Sequence, residues 1–410
     1  MNWKIKNLSD IATFSQGLQV AVNKQHTRKG PKQIRFIRII DYTRDTEPPR
    51  FIDYPGERYC VQEDDIVMIR YGSPGLIGRG IAGVIANNLI KISVDNGEIN
   101  KDYLVYCLKQ PNIQEIIKGT SSSTMPAITF STLQNLPIPL PPLDEQKRIV
   151  AILDEAFASL DQAIANTEKN LANAKELFES YLNSVFTNPG DDWEEKKLGE
   201  VVNFYSGGTP SKGNQLFWNG SIPWVSGRDM KGEEISSTSL SVSNLAIKEK
   251  GTKLMPEGTL LILVRGMGLA NGIPISELKT PCSFNQDIKA MQVKNGIIPR
   301  FLLHSLKFHL NHSHNIIDRA AHGTMKIELE NLQRFSIRFP DLSVQTSIVK
   351  RIRTLQISLD QIISISNNKE KCISNLKQSI LQKAFTGELS SKTDRKLATC
   401  TERSRSEMRV

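Results

Sequence analysis

Residues 133–186 of this chain fall on residues 332–385 without a gap, at a constant shift of 199 positions. Polar identities keep register as well as apolar ones. Leu160-Asp161-Gln162 meets Leu359-Asp360-Gln361, and Gln146, Ile149, Val150, Ile164, Leu177, Leu182, Phe186 and Thr187 meet Gln345, Ile348, Val349, Ile363, Leu376, Leu381, Phe385 and Thr386. Two unrelated amphipathic helices share an apolar pattern but not polar residues at fixed places, so the chain is built from two like halves.

Each copy reads as an extended approach followed by a long helix. Pro137, Pro139, Pro141 and Pro142 exclude helix and hold the backbone extended. A helix then opens at Leu143, with Asp144 as N-cap, and no proline or glycine interrupts it before Pro189. Apolar residues recur every seventh position at Val150, Phe157, Ile164, Leu171, Phe178 and Val185. A second line runs through Leu153, Leu160, Thr167, Ala174 and Tyr181. This is a coiled-coil seam broken only by Thr167, on a helix roughly 60 Å long. The second helix carries a seam at Ile352, Leu359, Ile373 and Ile380 with Leu355, Ile362 and Leu376, weaker around Ser366 and Lys369. Its start, Ser343-Val344-Gln345 in place of Asp144-Glu145-Gln146, reads as degenerate. Residues 144–188 carry a net charge of −4 and residues 343–387 a net charge of +5. Opposite charge on helices of equal length favours their pairing with each other over self-pairing. The expected arrangement is an antiparallel intramolecular coiled coil with a globule at each end.

The chain has 410 residues, room for two or three domains. Its net charge of +9 suits nucleic acid or another acidic surface. Cys60, Cys107, Cys282, Cys372 and Cys400 are scattered, with no CxxC pair to suggest a zinc knuckle or a disulfide framework. Neither a signal core nor an 18-residue apolar run is present, so a cytoplasmic protein with no membrane partner is expected.

The duplication extends into the globules. Trp3-Lys4-Ile5-Lys6-Asn7-Leu8-Ser9-Asp10 resembles Trp193-Glu194-Glu195-Lys196-Lys197-Leu198-Gly199-Glu200. Phe14-Ser15-Gln16-Gly17 matches Tyr205-Ser206-Gly207-Gly208, and Thr124-Met125 matches Thr324-Met325. The expected division is a globule over 1–142, a helix over 143–188, a globule over 189–342, a helix over 343–387 and a disordered polar tail over 388–410. Strand signals fall at 34–40, 65–69, 81–85 and 89–92, then at 200–205, 222–225, 259–264 and 288–293. Helical signals fall at 102–109, 112–117 and 300–310. Both globules are expected to be mixed α/β (α+β), with mixed sheets and few helices.

Candidate functional residues are basic. Arg28, Lys29, Lys32, Arg35 and Arg38 lie within eleven residues, on a loop-to-strand segment able to neutralise phosphates or read guanine. Arg70-Tyr71-Gly72 and the following turn to Arg79 have an apparent counterpart in Arg265-Gly266. Such glycine turns let a backbone approach phosphate, yet they lack the P-loop ending and the dinucleotide spacing. Lys212, Arg228 and Lys231 interleave with Trp218 and Trp224, whose bulk suits core anchors better than stacking platforms. His304, His309, His312, His314 and His322 cluster without the thiolate or spacing of a metal site. Asp191, Glu195 and Lys197 only loosely mimic a nuclease cluster, in an apparent linker. No catalytic centre is legible and no metal is expected.

The chain resembles the specificity subunits of type I restriction–modification enzymes. The resemblance is carried by Thr124-Met125-Pro126-Ala127-Ile128, by the continuous run from Leu133 through the prolines to Val150, by Ser184-Val185-Phe186, and by Lys383-Ala384-Phe385-Thr386-Gly387-Glu388-Leu389. Gly207-Gly208-Thr209-Pro210-Ser211-Lys212 and Ile222-Pro223-Trp224-Val225 look like the start of that family's target-recognition domain. The resemblance implies a non-catalytic subunit. Its two target-recognition domains would bind the halves of an asymmetric site in double-stranded DNA. Its paired helices would fix the spacer and seat two methyltransferase subunits, with restriction subunits joining them. S-adenosylmethionine, ATP and Mg2+ would belong to those partners. The alternatives are the DNA-binding portion of a single-chain restriction–methylation enzyme or nuclease, and a coiled-coil scaffold that binds no DNA.

Overall fold

The computed structural model describes residues 3–44, 46–94, 97–119, 127–249, 251–312, 316–319, 325–386 and 388. Thr124, Met125, Pro126, His314, His322, Thr324, Gly387 and the expected tail beyond Glu388 lie outside them. The chain forms two compact units, one of residues up to 167 with those from 367 onward, the other of residues 168–366. Both long helices are continuous, Leu143–Thr187 and Leu342–Thr386, at 45 residues each, and each contributes one part to each unit.

The first unit holds two four-stranded sheets. One is antiparallel, in the order Thr13–Gln16, Leu89–Ser93, Ile66–Ile69, Ile77–Gly78. The other runs Arg50–Asp53, Gln33–Ile37, Gly83–Ile85, Cys60–Val61, and its middle pair is parallel. The second unit repeats both orders. Its first sheet is Val202–Ser206, Ile288–Val293, Leu260–Leu263, Ile275–Leu278, with Glu234–Ile235 added at the edge. Its second is Leu240–Val242, Ile222–Val225, Cys282–Phe284, Leu254–Met255, again with a parallel middle pair. Ile66–Ile69 and Leu260–Leu263 are buried at every position, which is why they read as unbroken apolar runs rather than alternating ones.

Several strand boundaries depart from expectation, among them the strand over 81–85, which begins at Gly83, and two of the departures have a visible local cause. The strand anticipated over 34–40 stops at Ile37, because the Asp41 carboxylate accepts the Arg38 amide at 2.8 Å and sets up the helical turn Ile40–Thr43. The strand anticipated from Glu200 begins at Val202, after the turn Leu198–Val201, whose Glu200 carboxylate accepts the Lys197 amide at 2.9 Å.

The proline-rich approach is the strand Pro137–Leu140, antiparallel to Lys4–Asn7; its duplicate, Ser336–Phe339, pairs with Glu194–Lys197. Each ribbon has only two strands, so both are edges, where proline is tolerated. Asp144 does not cap the first helix. The Pro142 carbonyl accepts the Glu145 and Gln146 amides, so Asp144 lies inside the first turn. Gln146, fully buried, accepts the Asn100 amide at 2.8 Å and donates to the carbonyls of Glu98 at 3.0 Å and Pro141 at 2.8 Å. Gln345 makes the same three bonds, with the Ile298 amide at 2.8 Å, Gly296 at 3.0 Å and Pro340 at 2.8 Å. The second helix start is therefore not degenerate. It is also capped by Asp341, which accepts the Ser343 and Val344 amides at 2.9 Å. Those bonds and the Ser343 hydroxyl hold the Asp341 carboxyl below the usual range.

In the first unit, Ile149 and Leu153 from one long helix and Leu381, Ala384 and Phe385 from the other close a core around Tyr103, Leu104 and Leu108. The Tyr103 and Phe385 rings lie 5.2 Å apart. Lys377 pairs with Asp161 and lies 5.5 Å over the Phe157 ring. In the second unit, Phe178, Leu182 and Phe186 share a core with Ile348, Val349 and Ile352, and Phe186 lies 5.8 Å from Phe301. Within each unit the start of one long helix thus lies beside the end of the other, antiparallel.

Along the seam, Leu153, Ile352 and Ile373 are buried. Val150, Phe157, Leu160, Ile164, Leu171, Phe178, Leu355, Leu359, Ile362 and Ile380 are half-buried. Leu376, expected on the seam, is 47% exposed; the next residue, Lys377, is the one that faces the other long helix, over Phe157. Thr167 and Ser366 do not interrupt burial, at 8% and 2% exposed. The Thr167 hydroxyl donates to the Ala163 carbonyl at 2.7 Å, so no polar valence is stranded there.

Candidate nucleic-acid interface

The basic residues fall into two groups. Arg28, Lys29 and Lys32 are exposed, and Lys32 takes a left-handed conformation with φ 62°. Arg35 and Arg38 turn to Asp41, at 3.5 and 3.2 Å, and Arg38 also meets Glu47 at 2.8 Å. Arg70 donates to the Ile128 carbonyl at 3.1 Å, and Arg79 pairs with Asp102. Arg38 and Arg79 are thus engaged by carboxylates and Arg70 by a backbone carbonyl, while Arg35 makes its one long contact with Nε buried and unpartnered among the described residues. In the second unit Lys212, Arg228, Lys231 and Arg265 are all exposed.

Sequence reasoning missed a crossing that occurs once in each unit. Thr13–Gln16 ends at Gly17, and Val202–Ser206 ends at Gly207. A Cβ at Gly17 would stand 2.2 Å from the Ile85 and Ala86 carbonyl oxygens. One at Gly207 would stand 2.3 Å from those of Phe284 and Asn285. Glycine is required because the strand end crosses directly over another strand's end. Two residues beyond each glycine, a polar side chain meets a partner from the strand that is crossed. Asn87 Nδ2 reaches Gln19 Oε1 at 3.5 Å, and the Thr209 hydroxyl donates to Gln286 Oε1.

A third position completes each crossing. The Tyr71 hydroxyl donates to Asn87 Oδ1 at 3.3 Å. Its counterpart is Arg265. The Arg70 amide donates to Asn88 O, and the Ile128 amide donates to Arg70 O. The Val264 amide donates to Asp287 O, and the Ile327 amide donates to Val264 O. Tyr71 and Arg265 then bridge Ala127 and Lys326. Arg70 therefore corresponds to Val264, and the apparent equivalence of Arg70 and Arg265 is corrected. Burial, and then the nearby Arg265 and Lys326, push the Lys289 amine below its usual pKa; its ammonium donates to the Ser206 hydroxyl at 2.6 Å. Each crossing borders an open cleft. The first, about 510 Å³, is lined by Leu18, Gln19, Asn87, Asn88 and Arg50. The second, about 530 Å³, is lined by Gly207, Gly208, Thr252 and Lys253. Arg50 Nε and Asn88 Oδ1 are buried with no hydrogen-bond partner among the described residues.

Other candidates have structural roles. The Trp224 and Trp218 indoles pack edge to face at 5.1 Å and donate to the carbonyls of Gly208 and Ser211, at 3.0 and 3.2 Å, holding the loop after the glycine crossing. His309 and His312 pack on Phe308, and His304 is buried beside Glu233. Glu195 and Lys197 lie on a paired strand rather than in a linker, and Glu195 meets Arg338 at 3.2 Å.

The model of the type I restriction modification DNA specificity domain matches residues 1–173 and again 190–374. The EcoR124I/EcoR124II specificity subunit of Escherichia coli is 30% identical over 223 residues, 53% of this chain and 54% of that protein, so this match spans about half of the relative. The MjaVIII specificity subunit of Methanocaldococcus jannaschii is 25% identical over 423 residues, 95% of this chain and 93% of that one. A solved structure concerned with complex assembly and conformational transition of the type I R-M system superposes with a TM-score of 0.74 at 20% identity, covering 94% of this chain and 98% of that one. The HsdS subunit of Thermoanaerobacter tengcongensis superposes with a TM-score of 0.59 at 18% identity, covering 94% and 97%. With two successive specificity domains, each on the same strand order, the chain belongs to the family of type I restriction–modification specificity subunits.

Proposed function

We propose that this chain selects a bipartite, asymmetric site in double-stranded DNA, residues 1–142 reading one half and residues 189–342 the other. The observation that carries the reading is one backbone frame built twice, with different polar side chains at matching positions that are exposed or half-buried. The long helices fix the spacer between half-sites and seat two methyltransferase subunits, which restriction subunits join. S-adenosylmethionine, ATP and Mg2+ are carried by those partners, and this chain performs no chemistry itself. The assembly works in the cytoplasm.

Mapping methylated adenines in DNA modified by the chain with its methyltransferase tests this. Replacing residues 1–142 with another recognition domain should alter one half of the methylated motif only; alteration of both halves would refute modular reading. Inserting four helical residues after Tyr181 adds roughly 6 Å of helix. The spacer should then lengthen by about one to two base pairs at about 3.4 Å per step, with both half-sites kept. Altered half-sites and an unchanged spacer would end the ruler idea. A complex whose DNA affinity does not fall with salt would favour the DNA-free scaffold instead.

A further inference from the structure

We infer that base choice within each half-site is made at the glycine crossing, by Gln19, Asn87 and Tyr71 in the first unit and by Thr209, Gln286 and Arg265 in the second. The inference rests on the DNA-reading proposal and deepens it. The same backbone positions carry different residues in the two units, while the frame beneath them is held by identical backbone bonds. A site that must accept a different sequence in each half needs this combination of fixed scaffold and exchanged side chains.

The chemistry fits base edges. An amide presents donor and acceptor together, which matches the N6/N7 edge of adenine. A guanidinium fork matches O6/N7 of guanine, and a hydroxyl serves either. The first crossing carries two amides and a phenol, with no charge among the three. The second carries Arg265, with Lys289 and Lys326 beside it. An adenine contact is therefore expected in the first half-site and a guanine contact in the second. Gln19, Gln286 and Arg265 are exposed, and Asn87 and Tyr71 are half-buried and tied to each other. Thr209 is also half-buried, and the Tyr71–Asn87–Gln19 and Thr209–Gln286 groups are thus held in place before binding, beside the exposed Arg265. The exposed Arg28, Lys29 and Lys32 suit phosphates, which fix register without reading sequence.

The test uses the full chain assembled with its methyltransferase subunits and reads the methylated motif base by base. Q19A should relax one position of one half-site, and R265A one position of the other, each by roughly 5- to 150-fold in discrimination. R265K should not rescue, because an ammonium keeps the charge but loses the planar fork. The pair K29A/K32A should lower methylation evenly across sites and flatten its salt dependence. An unchanged motif in both Q19A and R265A would overturn the assignment. So would an even loss at all sites with unaltered thermal melting, or full rescue by R265K, since each marks a role in affinity alone. Absence of any bipartite motif from the unaltered complex would overturn the specificity reading itself, and this assignment with it.

Discussion

The two units differ least in the backbone groups that each buries and most in the polar side chains that each leaves at least partly open to water. Both run their strands in the same order, enter a long helix over a buried glutamine with three backbone bonds, and close on a phenylalanine from the end of the other long helix. Glycine crosses a strand end at the same place in both. On that frame the exposed chemistry diverges: an amide pair against a hydroxyl–amide pair, Tyr71 against Arg265, a helix start at Pro142 against one capped by Asp341. The comparison teaches that what is duplicated is the set of backbone groups that must be satisfied away from water. What is free to vary is whatever those groups do not constrain.

Breaking the shared elements should hurt both units alike. F385A and F186A remove rings that are 8% and 4% exposed, and each should cost about 3–5 kcal/mol. Hydrogen exchange should accelerate in the first unit for F385A and in the second for F186A; acceleration spread evenly over both would break the two-unit division. Q146L and Q345L each strand three backbone groups. At about 1 kcal/mol or more per group, each should cost roughly 3 kcal/mol. Urea unfolding should find the two penalties equal; a distinctly smaller one for Q345L would mean that the Asp341 cap holds the second helix start without its glutamine.

The differences should show as asymmetries. Only the second unit buries a histidine beside a carboxylate: His304 is 7% exposed, with Nδ1 3.9 Å from Glu233, and Arg300 and Lys307 pair with the same carboxylate. The first unit's His26 is exposed. Burial, and then Arg300 and Lys307, outweigh the pull of Glu233 and push His304 down to about 4. The unfolded chain, with an imidazole pKa of about 6.5, therefore takes the proton first. Stability is full above that value and falls as pH drops towards 4, by about 2 kcal/mol between pH 7 and pH 5. His304→Gln should remove this acid sensitivity from the second unit's melting; an unchanged pH slope would assign it elsewhere. The smallest effect belongs to the first unit: K377A, which loses the Asp161 pair and the Phe157 contact, should cost about 0.5–1 kcal/mol, read as a slight fall in melting temperature.

The long helices were legible because sevenfold periodicity accumulates over many turns, and the mixed-sheet class because the central strands are apolar throughout. Two-residue strands such as Cys60–Val61 and Ile77–Gly78 are too short to show alternation. The proline run announced extended backbone but not its partner strand, which lies more than a hundred residues away in the chain. Gln146 and Gln345 were visible only as matched identities, since nothing in a glutamine's neighbours reveals three distant backbone partners. The basic cluster looked uniform because Asp41, which neutralises Arg35 and Arg38, faces them only after the turn at Ile40–Thr43 forms. Arg265 falls on Arg70 in the sequence because each is the first arginine after its strand, whereas Ile66–Ile69 and Leu260–Leu263 end in the same register and set Tyr71 against Arg265. The glycine crossing showed in the sequence as the match of Phe14-Ser15-Gln16-Gly17 with Tyr205-Ser206-Gly207-Gly208, but one residue out of register, since Gly207 and not Gly208 takes the place of Gly17.

Closure of the first unit by the far end of the second long helix sets an order of events during synthesis. Tyr103 is made early, yet the Phe385 ring that packs against it leaves the ribosome nearly three hundred residues later. At about 5–20 residues per second that is a delay of roughly 15–60 s. All of residues 168–366 are made within that interval. The second unit can therefore finish folding while the first still shows water the apolar face around Tyr103, Leu104 and Leu108. A nascent chain stalled or cut short of its last helical turns is then half native and half open, and the open half is the one made first.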